Sequence, residues 1–132
     1  MKKEIAKNEY YEAYVDEEIN RTYWVFKGKW NKVTEIPNYL DHVKESVRNL
    51  KPGFTDVVDL RTFEIPSLEV IELLDESQKL TENAGVGRQA QIINKKDLEI
   101  VRASRNVVKE SDMDLKMMQF ATSEEAIEWL NR

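Results

Sequence analysis

The residue of this sequence best suited to general base chemistry near neutral pH is its single histidine, His42. It lies off the apolar face that Tyr39, Val43 and Val47 define on a predicted helix, as a surface histidine does. No serine is flanked by the glycines of a nucleophile elbow. The pattern therefore argues against serine hydrolase chemistry, and we expect no catalytic residues.

Carboxylates are numerous, with 25 Asp and Glu among 132 residues, and carboxylates can bind metal ions. The two densest groups, Asp16 to Glu18 and Asp112 with Asp114, lack the spacing and the placed glycine of a calcium loop. We expect both to be solvated loops. The absence of cysteine removes disulfides, thiolate ligands and a cysteine nucleophile, so we expect neither a metal nor a cofactor.

A glycine-rich segment, Gly85-Val86-Gly87-Arg88, is similar to part of a phosphate-binding loop. Such a loop follows a strand and opens a helix. Here the order is reversed, because the segment follows a predicted helix and opens a predicted strand. We therefore interpret Gly85 and Gly87 as residues with the left-handed geometry of a helix end.

The best candidate binding surface follows the predicted central strand around Val57 and Val58. Ligand sites of α/β sheets usually lie at the carboxyl ends of strands. The candidate residues there are Asp59, Arg61, Thr62, Glu64, Ser67 and Leu68. The alternative is that Asp59 and Arg61 cap loops and that Ser67 only caps its helix.

Composition and charge limit the classes of partner that the protein can bind. A net charge of −5 at pH 7 argues against broad binding to nucleic acid or to an anionic membrane. Lysines at 27, 29 and 32 alternate with Trp24, Phe26 and Trp30, which could stack on single strands, but a strand that runs into a solvated loop is the favoured interpretation. No apolar run is long enough to span a bilayer, and the first residues do not form a secretory signal. We expect a cytoplasmic protein.

Strands that alternate with helices predict an α/β fold with a single-domain mixed, mostly parallel sheet, an antiparallel N-terminal strand and about four helices, in the order β-β-α-β-α-β-α-β-α. Residues 1–9 are expected to be frayed, and 10–132 to form the domain. The predicted strands lie at 10–15, 22–26, around 57–58, at 88–93 and at 115–120. The predicted helices lie at 34–50, from Ser67 to near Gly85, at 97–109 and from the capping box Thr122–Glu125 onward.

Two segments carry a family resemblance: Val57-Val58-Asp59-Leu60 with the helix from Ser67, and the ending from Phe120 to Leu130, which contains SEEAIEWL. They resemble the STAS domain of anti-sigma-factor antagonists, and more closely its SpoIIAA-like branch, also described as STAS/SEC14-type. In phosphorylated antagonists an Asp-Ser pair opens this helix, and a kinase modifies the serine. Here Pro66-Ser67 takes that place and Leu68-Glu69-Val70 replaces the following S-G-L, so Ser67 keeps the position of a phosphorylation site without its signature.

The resemblance implies a non-catalytic, regulatory module that binds a protein partner through the loop from Asp59 to Ser67 and the second helix. The alternative is a binder of a small apolar ligand or lipid between sheet and helices. The aromatic residues Tyr14, Tyr23, Trp24 and Trp30 could line such a pocket or belong to the core. An enzyme would need Asp59 or Glu64 as acid or base. Trp129 and the aromatic opening strands could cover a homodimer surface.

Overall fold

The computed structural model describes residues 1–105 and 116–132, and in these ranges a six-stranded sheet forms the centre of the molecule. The strands lie in sequence order across the sheet. The first three are antiparallel neighbours, and the last four are parallel. Their bounds are β1 Lys3–Lys7, β2 Tyr11–Asp16, β3 Arg21–Gly28, β4 Thr55–Phe63, β5 Arg88–Ile92 and β6 Met117–Phe120. The predicted mixed, mostly parallel α/β sheet is confirmed.

Helices connect the parallel strands, as parallel pairing requires. Their bounds are α1 Tyr39–Val47, α2 Leu68–Asn83, α3 Lys95–Arg105 and α4 Ser123–Leu130, with a short 3₁₀ turn at Val33–Glu35 before α1. The order after the first hairpin matches the prediction. None of the helices in the described ranges is long and apolar enough to cross a membrane.

The sheet separates two hydrophobic cores because side chains alternate between its faces. On one face, aromatic residues of β2 and β3 pack against α1 and α2 through Tyr39, Val43 and Val70. On the other face, Val57, Ala90, Ile92 and Phe120 pack against Ala126 and Leu130 of α4. Helix α3 contacts β6 and buries Leu98. Helices therefore cover both faces.

The N-terminus is not frayed, contrary to the expectation for residues 1–9. Residues Lys3–Lys7 form β1, which pairs with β2 and extends the sheet by one strand. The pairing is irregular between Glu4 and Ala6. The strand is largely exposed, with only Ile5 and Ala6 half-buried, and this is why the sequence shows no clear apolar alternation there.

The predicted helix at 34–50 is shorter than expected. A 3₁₀ turn ends at Glu35, and α1 begins only at Tyr39. Pro37 lies between them and accounts for the break, because proline disfavours helical geometry at the residue before it. The predicted helix at 97–109 begins earlier, at Lys95, and its residues beyond Arg105 lie outside the described part of the chain, as do Asp112, Asp114 and Leu115.

The two glycines before β5 have different roles. Gly85 follows the end of α2 with a φ of 98°, the left-handed geometry predicted for it. Gly87 does not have a left-handed φ. The prediction for Gly87 was therefore wrong. Instead, a Cβ at Gly87 would lie 2.9 Å from the carbonyl oxygen of Gly53, so the close approach of two chain segments explains why a glycine is present there. The segment joins Gly53 and Phe54 by backbone hydrogen bonds rather than cradling a phosphate.

Candidate functional site

Asp59 does not lie at the end of the central strand. Strand β4 continues to Phe63, because its neighbour β3 extends to Gly28 and pairs with it that far. Asp59 makes an ion pair with Arg61 on the same strand, with Oδ2 to Nη2 at 2.7 Å and Oδ1 to Nε at 3.0 Å. Partial burial opposes ionisation of Asp59, but the hydrogen bonds from Arg61 prevail and lower its pKa. The two residues therefore pair with each other within β4.

Two further candidate residues are exposed at the end of β4. The hydroxyl of Thr62 donates to the carbonyl of Phe26 at 3.4 Å. The side chain of Glu64 is exposed, and its backbone N–H donates to the carbonyl of Gly28 at 2.9 Å. Both contacts hold the strand end against β3. Neither side chain converges with Asp59 on a common ligand position.

Ser67 is the N-cap of α2, as predicted. Its Oγ accepts a hydrogen bond from the backbone N–H of Val70 at 3.4 Å and donates to the carbonyl of Asn31 at 2.6 Å. Its own N–H donates to the carbonyl of Trp30 at 3.2 Å. Ser67 therefore fixes the start of α2 to the loop after β3, and its hydroxyl is already engaged on both sides.

The most exposed apolar side chains near these residues are Ile65 and Leu68, which are 82% and 80% exposed, and Ile71 is 38% exposed. Leu68, Ile71, Glu72 and Asp75 have the i, i+3, i+4, i+7 spacing of one helical face. We call Ile65, Leu68, Ile71, Glu72 and Asp75 the Leu68 surface. Helix α2 thus buries its opposite face, which contains Val70, Ser77 and Thr81, and presents this one to solvent.

A cleft of about 180 Å³ lies between the sheet and the buried face of α2. Its floor and walls are apolar at one end and polar at the other, and we call it the α2 cleft. The described apolar lining residues are Trp24, Phe26, Val58, Leu60, Phe63 and Leu74, and the polar ones are Asp56, Ser77, Gln78, Thr81, Gln89 and Gln91. None of the six candidate residues that follow the central strand, from Asp59 to Leu68, lines it.

Asp56 and Gln89, at the polar end of the α2 cleft, belong to a row of side chains on three neighbouring strands. Thr22, Asp56 and Gln89 are register partners on β3, β4 and β5. Asp56 is only 5% exposed, and its carboxylate accepts hydrogen bonds from Thr22 Oγ1 at 2.7 Å and from Gln89 Nε2 at 2.9 Å. Burial raises the pKa of Asp56, and these two hydrogen bonds oppose the shift.

The hydroxyl groups at this end are committed to the protein itself. Thr81 donates to the carbonyl of Ser77 at 2.9 Å, and Ser77 donates to the carbonyl of Leu74 at 2.8 Å. Since the Ser77 proton is used in this way, the 3.1 Å bond between Ser77 Oγ and Tyr39 Oη has Tyr39 as its donor. The hydroxyl protons of Ser77 and Thr81 are therefore not free to bind a ligand.

The four aromatic residues proposed as pocket lining have separate positions. Of the four, only Trp24 lines the α2 cleft. Trp30 is fully buried in the core, where its Nε1 donates to the carbonyls of Tyr10 and Lys27, both at 3.1 Å. Tyr14 and Tyr23 are half-buried and lie outside the lining. The three aromatics that alternate with Lys27, Lys29 and Lys32 are all buried.

His42 and Asp16 differ from expectation. His42 is half-buried, and its Nδ1 lies 2.6 Å from Tyr11 Oη, so it is not a free surface side chain. Asp16 is buried and accepts a hydrogen bond from the Ile19 N–H at 3.2 Å, which ends β2 in a turn rather than in a solvated loop. In the part of the chain that the structure describes, no group of three or more His, Cys, Asp or Glu is arranged to hold a metal ion.

The sequence contained one signal for the cleft. In β5, Gln89 and Gln91 alternate with the buried residues Ala90 and Ile92, which indicates a sheet face that is polar yet covered by a helix. Asp56 beside Val57 gives the same signal on β4. A buried polar strip of this kind is unusual in a core and is typical of a binding site.

Comparisons with known proteins establish the fold. No protein-family model matches the sequence, and no curated protein is significantly similar to it. Among solved structures, the chain is similar to an uncharacterized protein of the DUF3478 family from Shewanella loihica PV-4, which has a SpoIIAA-like fold. The TM-score is 0.60 at 14% sequence identity, and the match covers 95% of this chain and 97% of the other. The resemblance predicted from the strand, helix and capping patterns is thus confirmed in three dimensions: the chain has a SpoIIAA-like fold.

Proposed function

We propose that the protein is a non-catalytic, regulatory interaction module that binds a protein partner through the Leu68 surface. The observation that carries the proposal is the exposure of Ile65 and Leu68, at 82% and 80%, directly beside the N-cap Ser67. A single exposed apolar residue is ordinary, but neighbouring ones on a helix start indicate a contact surface. A cytoplasmic location is part of the proposal.

Charge indicates the chemistry of the partner. Glu72 and Asp75 lie on the same helical face as Leu68 and Ile71. Lys29 and Lys32 are exposed beside Trp30 and Asn31, which Ser67 contacts. Basic side chains therefore lie near the start of α2, and the acidic part of this face lies further along the helix. The complementary partner is a protein segment that presents apolar and basic side chains together. An anionic membrane would be repelled by the same carboxylates.

The test is capture of partners from the native host by crosslinking, followed by affinity measurement with the purified partner. We expect Leu68→Asp to weaken binding at least about tenfold, because a charge is placed in a desolvated contact. The matched control is Ile19→Asp, since Ile19 is 53% exposed in the turn between β2 and β3. Glu72→Lys should also weaken binding and reduce its salt dependence. Equal affinity of the wild type and Leu68→Asp would refute the proposal.

Phosphorylation of Ser67 stays a prediction within this proposal. A phosphate on Oγ would remove the hydrogen bond to the carbonyl of Asn31 and place negative charge at the start of α2. A helix N-terminus accommodates such charge. Intact-mass measurement of protein from the native host, compared with Ser67→Ala, tests it.

The second candidate function is the binding of a small apolar ligand, and the α2 cleft is the observation that favours it. Its apolar end offers Trp24, Phe26 and Leu60 to a ligand. Native mass spectrometry of protein purified from cells should show a retained small molecule. The retained mass should be absent from Leu74→Trp, in which the larger side chain fills the cleft. Absence of any retained mass from the wild type would count against this function.

A further inference from the structure

The α2 cleft combines an apolar chamber with one buried acidic group, and this combination restricts the ligand. The inference that follows rests on the second candidate function and not on the Leu68 surface. Asp56 lines the cleft although it is only 5% exposed. Val58 and Leu60, which continue along the same strand, lead from it into the apolar end.

The carboxylate of Asp56 has no cation beside it in the described part of the chain. Its partners there, Thr22 and Gln89, are neutral donors that supply one hydrogen bond to each carboxylate oxygen. A carboxylate has about four acceptor positions, so acceptor capacity is left over. Of the described residues that line the cleft, none is Lys, Arg or His. A buried carboxylate without a paired cation is costly, and a bound cation would remove that cost.

The remaining polar groups favour a ligand that donates hydrogen bonds. Gln78 and Gln89 form a reciprocal amide pair, with Nε2 to Oε1 distances of 2.7 Å and 3.3 Å. The second proton of each amide is given to Glu82 and to Asp56, respectively. The donors near Asp56 are therefore used, while its carboxylate still accepts. A head group that only accepts hydrogen bonds would find no free donor at Gln78 or Gln89.

We infer that the α2 cleft binds an organic ammonium cation that carries an apolar group of about six carbons, with the ammonium at Asp56 and the apolar group against Trp24, Phe26 and Leu60. An ammonium supplies both a charge and three donors. The apolar part is limited by volume. An engineered cavity of roughly 150 Å³ holds one benzene, so the cleft of about 180 Å³ holds an apolar group of similar size.

Titration supports this assignment. Burial raises the pKa of Asp56, and a cation bound beside the carboxylate would favour the charged form and lower that pKa. The titratable group that faces it from α1 is Tyr39, whose pKa is raised by burial and which stays neutral at physiological pH. From β3 and β5 the facing groups are Thr22 and Gln89, which do not titrate in this range.

The probes are three compounds with one chain length: hexylamine, 1-hexanol and hexanoate. Their binding to the full chain is measured by calorimetry at pH 7, in two buffers of different ionisation enthalpy. We expect hexylamine to bind at least about tenfold more tightly than 1-hexanol, which is the size of a charge-assisted hydrogen bond, and hexanoate to bind most weakly. Repeated from pH 4 to pH 8, the two-buffer measurement should show proton release on hexylamine binding at the pH where Asp56 titrates, and none on 1-hexanol binding.

Two variants complete the test. Asp56→Asn should abolish the preference for hexylamine over 1-hexanol, whereas Asp41→Asn, the same charge change on exposed α1, should preserve it. If Asp56→Asn fails to fold, the head-group series and the proton release on the wild type still decide. Equal binding of all three compounds overturns the inference but leaves an apolar-ligand function. Binding of none of them overturns both.

Discussion

Gln89 donates a hydrogen bond of 2.9 Å from Nε2 to the buried carboxylate of Asp56, its register partner on the neighbouring strand. Thr22 approaches the same carboxylate from the other side at 2.7 Å. The row crosses three parallel strands in the interior, where purely apolar residues would pack more simply. A buried acid held by neutral groups is a typical property of functional sites and makes stability depend on pH in a specific direction.

We predict that the stability difference between the wild type and Asp56→Asn changes with pH. The pKa of Asp56 is higher in the folded state than its unfolded value of about 3.9, because burial disfavours the charge. Between these two pKa values the folded state binds more protons, so this carboxyl stabilises the fold at low pH and loses that effect as pH rises. The slope is at most about 1.4 kcal/mol per pH unit.

Urea unfolding of both proteins from pH 4 to pH 8 measures this effect. The difference in unfolding free energy between the two proteins cancels the contributions of the other carboxylates. Several of these have lowered pKa values, so their effect on stability changes with pH in the opposite direction. The wild type should lose stability relative to Asp56→Asn as pH increases. A difference that does not vary with pH would mean that Asp56 is ionised normally in the folded protein.

Ser67→Ala should reduce the free energy of unfolding by about 1 kcal/mol, because it removes the N-cap of α2. Ser123→Ala is the matched control, since Ser123 is the exposed first residue of α4 and its cap is Thr122. Ser67→Thr should preserve most of the stability. Thermal unfolding compares the three variants, and equal effects of Ser67→Ala and Ser123→Ala would contradict the capping role.

Trp30→Phe should reduce the free energy of unfolding by roughly 2–4 kcal/mol, through the lost volume and two carbonyls that lose their donor. Trp129→Phe is the control. Trp129 is half-buried between Phe120, at 5.6 Å between ring centroids, and Arg88, at 5.1 Å from its ring, so a smaller loss is expected. Urea unfolding separates the two values. A negligible loss in Trp30→Phe would show that Trp30 lines a solvent-accessible pocket rather than the core.

Gly87→Ala should reduce the free energy of unfolding by about 1–3 kcal/mol, because its Cβ would meet the Gly53 carbonyl oxygen and force a backbone shift. Gly28→Ala is the comparison. Gly28 has a φ of 68°, but no atom lies within 4 Å of the position that a Cβ would take there, so this variant tests backbone geometry alone, at about 1 kcal/mol. Urea unfolding measures both losses. Stability of Gly87→Ala equal to that of the wild type would contradict the close approach.

Local signals in the sequence were sufficient for most of the fold. The Pro66-Ser67 start of α2 and the Thr122 cap of α4 depend on neighbouring residues alone, and both are present with their side chain to N–H hydrogen bonds. The strand around Val57 and Val58 followed from β-branched residues between turn formers. These features lie within one element, so a single sequence specifies them.

Features that depend on partners distant in sequence were missed. Strand β4 extends beyond Asp59 to Phe63 because β3 is long, and no local residue signals this. Asp59 therefore lies within β4 rather than at its end. The α2 cleft joins Trp24, Asp56, Leu74 and Gln89 from four elements, so it exists only after the sheet and α2 have packed.

Strand β1 forms one edge of the sheet, so it determines which backbone groups stay unpaired at that edge. Its lysines Lys3 and Lys7 are exposed, and its pairing with β2 is irregular between Glu4 and Ala6, two devices that discourage a further strand from adding there. The next strand, β2, is regular, and its residues alternate between buried and half-buried positions along most of its length. Removal of residues 1–8 would uncover that strand as an edge able to template intermolecular sheets. We therefore expect the short, charged β1 to limit aggregation by covering the edge of β2.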